Sequence, residues 1–548
     1  MNAVNYAKDM LWPFFMGVGP DNIKGKRNEL PFETLTQDAD RGVKMLSILG
    51  ILLLALLFSL ISLWRDRHPI WLHSSSSAPL PPSLPWLPIL GSLLSLPRGP
   101  PHLALTRLAH AHGPVLGLWL GSHRAVVVSR AQEVHEVLIG QGRVFGGRPP
   151  MVTTDILTRG GQDIAFANYG PAWRLHRKIV HASLYKGGFG MEEIEAIVSA
   201  EAKELCAGLF GYCNGQSLDL TTELTCAVTN IICALTFSSG YSRTDPEFVS
   251  MLRWNEGIVR TVARDAPVDI FPWLRFLPLA DLRSLRACVQ ERDSVLLSKM
   301  KQRQACLEEG SPPQDVLGCL LAAQHAARGD LRARHLTDTH LLMTVGDIFG
   351  AGVETTSTVL RWIIAYLVTY PKIQAAIQAQ LDVMLEGAFP CLADQVRLPL
   401  LQATIWEVLR SRPVSPIFIP HVALKNTTLG GFHIARGTRV LVNLYAVHHD
   451  PTVWDDPEQF QPGRFLSSDG LQVTPPRPHF LPFGAGPRGC LGEALAKAEI
   501  FLLMASLLQT FTLSLPPQCP APNLEGVHGV VLRPPPFKVC LKHRSTCA

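Results

Sequence analysis

Apolar and polar positions divide the chain into distinct stretches before any chemistry is considered. Residues 45–64 form one uncharged run, MLSILGILLLALLFSLISLW. As a helix it is long enough to cross a bilayer core of about 30 Å. It is apolar throughout and poor in small residues for cleavage, which argues for a retained anchor over a removed signal peptide. Trp64 suits a membrane interface, with Arg65 and Arg67 just beyond it. Arg41 and Lys44 flank the other side, so charge alone leaves the orientation open. Four serines from Ser74 and then Pro79, Pro81, Pro82, Pro85, Pro88 and Gly91 follow. Such a stretch cannot be helix and reads as a semi-rigid spacer. Beyond it helical periodicities dominate, with short β-type runs at 125–128 and 439–442. The predicted class is mainly α with small β-sheets (α+β). The longest helical pattern covers 340–370, spans about 45 Å and is closed by Pro371. Gly350 and Gly352 lie in its middle, where an interior glycine costs about 1 kcal/mol. Their presence predicts a compensating role, such as a local opening of the helix.

Composition changes this picture little. The chain has 548 residues, 47% of them hydrophobic, ample for a large core. No repeat and no linker is visible after residue 91, so one large domain is expected over 92–548. Ahead of it stand an extension of unknown role (1–44), the anchor (45–64) and the Ser/Pro-rich hinge (65–91). Met45 is expected to be an alternative or the true start, with residues 1–44 having no catalytic part. The net charge of +5 suits an acidic protein partner or a membrane surface and is too weak to argue for nucleic acid. The 12 cysteines show no C-x-x-C pair, which fits reduced thiols in a cytosol-facing protein.

One cysteine stands apart. Cys490 ends the loop Phe483-Gly484-Ala485-Gly486-Pro487-Arg488-Gly489 and precedes a helical pattern. A thiolate on a glycine-rich loop is a fitting axial ligand for a haem iron that splits dioxygen, because sulfur pushes electron density onto the metal. The glycines let backbone N–H groups approach the sulfur. In the long helix, Glu354 and Thr355 follow Gly350-Ala351-Gly352-Val353 and offer an acid and a hydroxyl for proton delivery. Glu407 and Arg410 share a helix face at i, i+3, as Trp173 and Arg177 do at i, i+4.

These segments resemble the haem-binding, oxygen-activating and E-x-x-R signatures of the cytochrome P-450 family, the haem-thiolate monooxygenases. The resemblance runs from about Pro79 to about Val539. It implies the cytochrome P-450 fold with an N-terminal membrane anchor helix, heme b bound through Cys490, and Thr355 and Glu354 as catalytic residues. It implies Arg148, Trp173, Arg177, His421 and Arg488 as donors to the haem propionates. Glu407 and Arg410 are completed by Arg464 of Pro462-Gly463-Arg464-Phe465, in a structural role behind the haem. Electrons would come from NADPH through cytochrome P-450 reductase, docked near Arg174, Lys178 and Lys497. The implied location is the endoplasmic reticulum membrane, by a single-pass anchor, with the catalytic domain in the cytosol.

Residues 345–356, 481–488 and 268–274 resemble the branch of the family that hydroxylates C21 steroids such as progesterone and pregnenolone at C17, and in many animals also cleaves the 17,20 bond. The resemblance gives Asn255 and Arg292 to the steroid's 3-oxygen end and Ala351 to its flat face. Phe166, Val414 and Ile419 would be apolar walls. Trp406 and Gln395 stand where that branch carries basic residues for cytochrome b5, so weakened cytochrome b5 docking and weak or absent 17,20-lyase activity are expected. Another steroid hydroxylase, acting at C21, or a xenobiotic monooxygenase is the alternative enzyme. A non-catalytic steroid or haem carrier is the alternative of another class.

Overall fold

The computed structural model describes residues 78–185, 190–262, 267–308, 313–326, 336–474 and 477–544, with the isolated helical positions 50, 53, 54 and 57. Apart from those four positions, the expected extension, anchor and first part of the hinge lie outside the described residues. Among the described residues no helix is long and apolar enough to cross a membrane.

The long apolar pattern forms the helix Asp338–Thr369, the axis of the main core. Thr337 and His340 cap its start with a reciprocal capping box, which satisfies N–H groups that a helix end would otherwise leave bare. At the other end Tyr370 leaves helical geometry and Pro371 opens the next helix, the position proline tolerates best. Trp362, Ile363, Leu360 and Leu367 are all fully buried. Helices Thr221–Phe237, Glu493–Thr510 and Pro399–Ser411 pack around this axis. Helices Pro246–Val262 and Ala280–Glu308 pair with each other on one side. Trp254 of the former stacks at 5.0 Å on Phe349 of the axis.

The two β-type runs meet in a four-stranded sheet, ordered Val115–Leu120, His123–Val128, Arg439–Val442, His421–Val422. Ala125 pairs with Arg439 and Val128 with Val442 in parallel register. The last strand runs antiparallel, His421 opposite Val440. A three-stranded sheet joins Ser217–Leu218, Val539–His543 and Phe511–Ser514, and a two-stranded one joins Thr427–Leu429 to Phe432–Ile434. The later part of the Ser/Pro-rich stretch is docked on the sheet edge. Leu84 N donates to Gly117 O at 3.0 Å, and Gly117 N to Pro82 O at 2.7 Å. Prolines suit such an edge because they have no N–H to donate.

Candidate functional site

The Cys490 loop is held by its own backbone and by two neighbours. Cys490 N donates to Phe483 O at 2.9 Å and Gly489 N to Gly486 O at 3.1 Å. Gly486 has φ +66, and a Cβ there would stand 1.9 Å from the Leu138 carbonyl oxygen. No side chain fits at that point. The Arg177 guanidinium donates to the Gly489 carbonyl, and Tyr185 OH donates to Leu491 O at 2.8 Å. Helix Pro171–Tyr185 therefore grips the chain on both sides of Cys490, which is itself exposed at the end of the loop.

Three guanidinium groups gather beside this loop. Arg148 is buried and donates through Nε to Ala165 O at 2.8 Å and through Nη1 to Ile419 O and Pro420 O. Arg488 donates to the carbonyls of Gly146, Ile164 and Ala167. Its guanidinium lies 4.2 Å from the Trp173 ring centre, with that of Arg177 at 5.5 Å. Trp173 is thus a plate under two cations, and its own N–H goes to Ile164 O at 2.9 Å. Burial, followed by repulsion from Arg488, brings Arg148 down to about 9. Burial and then Arg177 bring Arg488 down to about 10. His421 is lowered to about 3 by burial and then by Arg148, so it is neutral, and its Nδ1 lies 2.9 Å from Phe145 O. With Nδ1–H donated there, the ring needs a second proton on Nε2 before it can donate to a carboxylate.

This donor set fits haem. Arg148 Nη2 and the Nε and Nη1 of Arg177 make no hydrogen bond to a described residue. Asp163 is the carboxylate next to these cations, and burial pushes it upward. An excess of buried positive charge with uncommitted N–H groups calls for anions, and haem brings two propionates. An exposed thiol stands on the adjoining loop to meet the iron.

On the long helix Ala351 and Thr355 lie one turn apart. Thr355 Oγ1 donates to Ala351 O at 2.6 Å. The helix is continuous through Gly350–Ala351–Gly352, so the expected local opening is absent. Gly352 serves packing instead, and Gly350 does not. A Cβ on Gly352 would stand 2.6 Å from Ile232 Cδ1, and one on Gly350 would meet nothing within 4 Å. Glu354 is half-buried, 3.7 Å from Arg533. Burial raises its carboxyl and Arg533 opposes that.

Asn255 and Arg292 are both buried. Asn255 lies on Pro246–Val262 beside Trp254, and its amide makes no hydrogen bond to a described residue. Arg292 lies on Ala280–Glu308, and its Nη1 would be 3.4 Å from a Cβ on Gly346 of the long helix. Phe166 and Val414 are half-buried, Val414 against the main core. Ile419 is 42% exposed, and its carbonyl, not its side chain, touches Arg148.

Glu407, Arg410 and Arg464 come together. Arg410 forks onto Glu407 at 2.7 and 2.9 Å, and Arg464 Nε reaches Glu407 Oε1 at 3.1 Å. Glu407 and Arg410 have no exposure. Arg410 also donates to His448 O at 2.8 Å, so the pair is a buried knot between the helix and two loops. Arg174 and Lys178 are exposed one turn apart, whereas Lys497 pairs with Glu493 at 2.6 Å. Trp406 packs edge-on against Phe465 at 5.7 Å.

Sequence reasoning passed over Asp347. It is half-buried in the long helix, and its Oδ2 accepts both Ile164 N (2.9 Å) and Ala165 N (3.1 Å). Burial drives its carboxyl well upward, and Asp163 adds to that. The loop that bears Phe166 and faces Arg148 and Arg488 is thereby pinned to the oxygen-side helix. A charged residue in an otherwise apolar helix was the one available sign. Asp293, which fixes Arg292 through Nε at 2.9 Å and Nη2 at 2.7 Å, adjoins it in sequence and gave no sign.

Residues 81–541 match the cytochrome P-450 family. The chain is 49% identical over 512 residues to the steroid 17-alpha-hydroxylase/17,20 lyase of Oryzias latipes, covering 92% of this chain and 97% of that protein. It is 49% identical over 496 residues to the protein of the same name from Gallus gallus, covering 90% and 97%. A zebrafish cytochrome P-450 structure with progesterone superposes with a TM-score of 0.73 at 47% identity, covering 81% of this chain and 100% of that one. A second zebrafish structure, with abiraterone, gives 0.72 at the same identity, covering 81% and 99%.

Proposed function

The chain belongs to the cytochrome P-450 family, and we propose that it is a steroid 17-alpha-hydroxylase acting on C21 steroids such as progesterone and pregnenolone. The observation that carries this reading is Asn255, a buried residue whose amide makes no hydrogen bond to a described residue, together with buried Arg292. An amide held in a buried position with its hydrogen bonds uncommitted can anchor a polar ligand group, and a steroid 3-oxygen would take that place. Arg292 lies against Gly346 and Thr355 lies nine residues further along the same helix, a rise of about 13 Å. A flat steroid laid along Ala351 therefore has its 3-oxygen at one end and its C17 end near Thr355.

Haem b, held by Cys490, supplies the oxygen chemistry. The remaining tasks fall to the chain. Arg148, Arg177 and Arg488 hold the propionates, with Trp173 beneath two of them. Thr355 carries a hydroxyl proton at Oγ1, and Glu354 is a carboxyl raised by burial that can hold or release a proton beside it. Phe166 and Val414 bound the apolar part of the pocket. Electrons arrive from NADPH through the reductase, docked against Arg174 and Lys178.

The location follows the same reading, at the endoplasmic reticulum membrane with the catalytic domain in the cytosol. Leu87, Ile89 and Leu94 are exposed at 49%, 51% and 43%, and Trp273 and Phe276 at 58% and 78%. Gly121 joins the two groups, since a Cβ there would stand 2.9 Å from Ile270 O and Gly91 meets its carbonyl. Apolar surface of this kind suits a lipid surface. The aromatic packing of Trp406 and the absence of a cation at Gln395 support weak cytochrome b5 docking and weak 17,20-lyase activity.

Asn255→Ala removes the proposed 3-oxygen contact while leaving Cys490 untouched. Progesterone titration of the holoprotein, followed by haem absorbance, is expected to show affinity reduced about tenfold, as for a hydrogen bond of 1–2 kcal/mol. Unchanged affinity would remove Asn255 from the site.

A further inference from the structure

The last residue of helix Pro171–Tyr185 does more than grip the Cys490 loop. Tyr185 OH donates to Leu491 O at 2.8 Å. That carbonyl belongs to the peptide joining Leu491 to Gly492. The N–H of the same peptide gives the Cys490 sulfur its backbone hydrogen bond. Phenol, peptide and sulfur therefore stand in series. A donor on the carbonyl end of a peptide polarises it and makes its N–H the stronger donor, by roughly a tenth to a third per bond.

Arg177, on the same helix, provides the contrast. It donates to Gly489 O. The N–H of that peptide is Cys490 N, which is committed to Phe483 O at 2.9 Å. Of the two residues that grip the loop, Tyr185 is the one coupled through a peptide to the sulfur.

The phenol is fixed for this task. Its oxygen also has a backbone hydrogen bond with Leu495. Leu495 lies in the first turn of helix Glu493–Thr510, where N–H groups have no partner within the helix. Burial, opposed by the Leu495 N–H and aided by the nearby Cys490, pushes the phenol up to about 12. It therefore keeps its proton, and remains a donor, at neutral pH. His181 is exposed and packs with its ring centre 5.1 Å from that of Tyr185.

We propose that Tyr185 is a positioning residue for the haem thiolate, drawing electron density off the Cys490 sulfur through the Leu491–Gly492 peptide. The inference rests on the reading of Cys490 as the haem ligand. Hydrogen bonds to such a sulfur help set the reduction potential. The phenol thus makes the iron easier to reduce than the loop alone would.

The test compares wild-type, Tyr185→Phe and His181→Ala holoproteins without steroid. Two quantities are read: the ferric-to-ferrous ratio at one fixed applied potential, and the C–O stretching frequency of the ferrous carbon monoxide complex. Tyr185→Phe keeps the ring and removes the O–H. It should shift the ratio toward ferric by up to about fourfold, the share that polarisation adds to one charge-assisted hydrogen bond. It should also lower the C–O stretch, because a more electron-rich sulfur pushes more density onto the iron. His181→Ala leaves the hydrogen bonds of the phenol in place and should match the wild type in both. Wild-type values in Tyr185→Phe would overturn the relay. So would an equal shift in His181→Ala, which would make the effect one of packing. Loss of the haem-thiolate carbon monoxide band from Tyr185→Phe alone would make the phenol a structural clamp and overturn the relay as well. A wild type without that band would overturn the haem reading itself. Neither quantity involves steroid, so the substrate reading is tested separately.

Discussion

Asp347 shows how much one half-buried carboxyl can set. A single oxygen receives two backbone N–H groups of the Phe166 loop. Removing it strands both donors, at about 1–3 kcal/mol each if they stay buried. Asp347→Ala is therefore expected to weaken progesterone binding at least tenfold in a spectral titration, whereas Asp347→Asn keeps an acceptor and stays near wild type. Glu499 makes a different demand. It is buried, bonded by Thr356 Oγ1 at 3.0 Å, and pushed by burial up to about 8. In the unfolded chain it loses its proton near 4.5, so between about pH 4.5 and 8 the folded state holds the extra proton. This term makes stability fall as pH rises through that window and level off above it. Glu499→Gln should cancel that fall, so that its melting temperature exceeds wild type at pH 8 by more than at pH 5. Equal differences at both pH values would contradict the assignment. Cys490, Thr355 and Arg410 were legible because short motifs carry them. Asp347 and Asp293 were not, since their roles lie in loops and guanidiniums distant in sequence.

The long helix is the element on which this site is organised. Its extent was legible from an apolar pattern ended by Pro371. The purpose of its glycines was not, because a glycine interior to a helix reads equally as a gap for a ligand or for a neighbour. Here Gly352 admits Ile232 and Gly346 admits Arg292. Gly352→Ala is expected to destabilise by about 1–3 kcal/mol through overpacking. Gly350→Ala, with nothing within 4 Å of its Cβ, should stabilise by up to about 1 kcal/mol. Thermal melts of the two variants check the contrast. The sheet teaches a similar lesson. The runs 125–128 and 439–442 were visible as strands, but their parallel pairing joins distant parts of the chain and leaves no local trace.

At the scale of the whole molecule, the proposed site draws on three parts: the Cys490 loop, the stretch of the long helix bearing Ala351 and Thr355, and the helix pair carrying Asn255 and Arg292. The first two were legible as chemistry. The third was legible through the family resemblance, because a buried Asn and Arg on helices look like ordinary helix residues until the packing is known. The cation cage was partly legible, yet His421 and Trp173 bond to backbone carbonyls, leaving the charge to three arginines. The account's central claim is that this arrangement presents C17 of a C21 steroid to the oxygen side. Its most direct test is product identification after incubation of the full-length enzyme with progesterone, NADPH, reductase and cytochrome b5. The account predicts 17-hydroxyprogesterone as the main product, with little androstenedione. Efficient androstenedione formation would contradict weak lyase activity, and hydroxylation at C21 or no product at all would contradict the central claim.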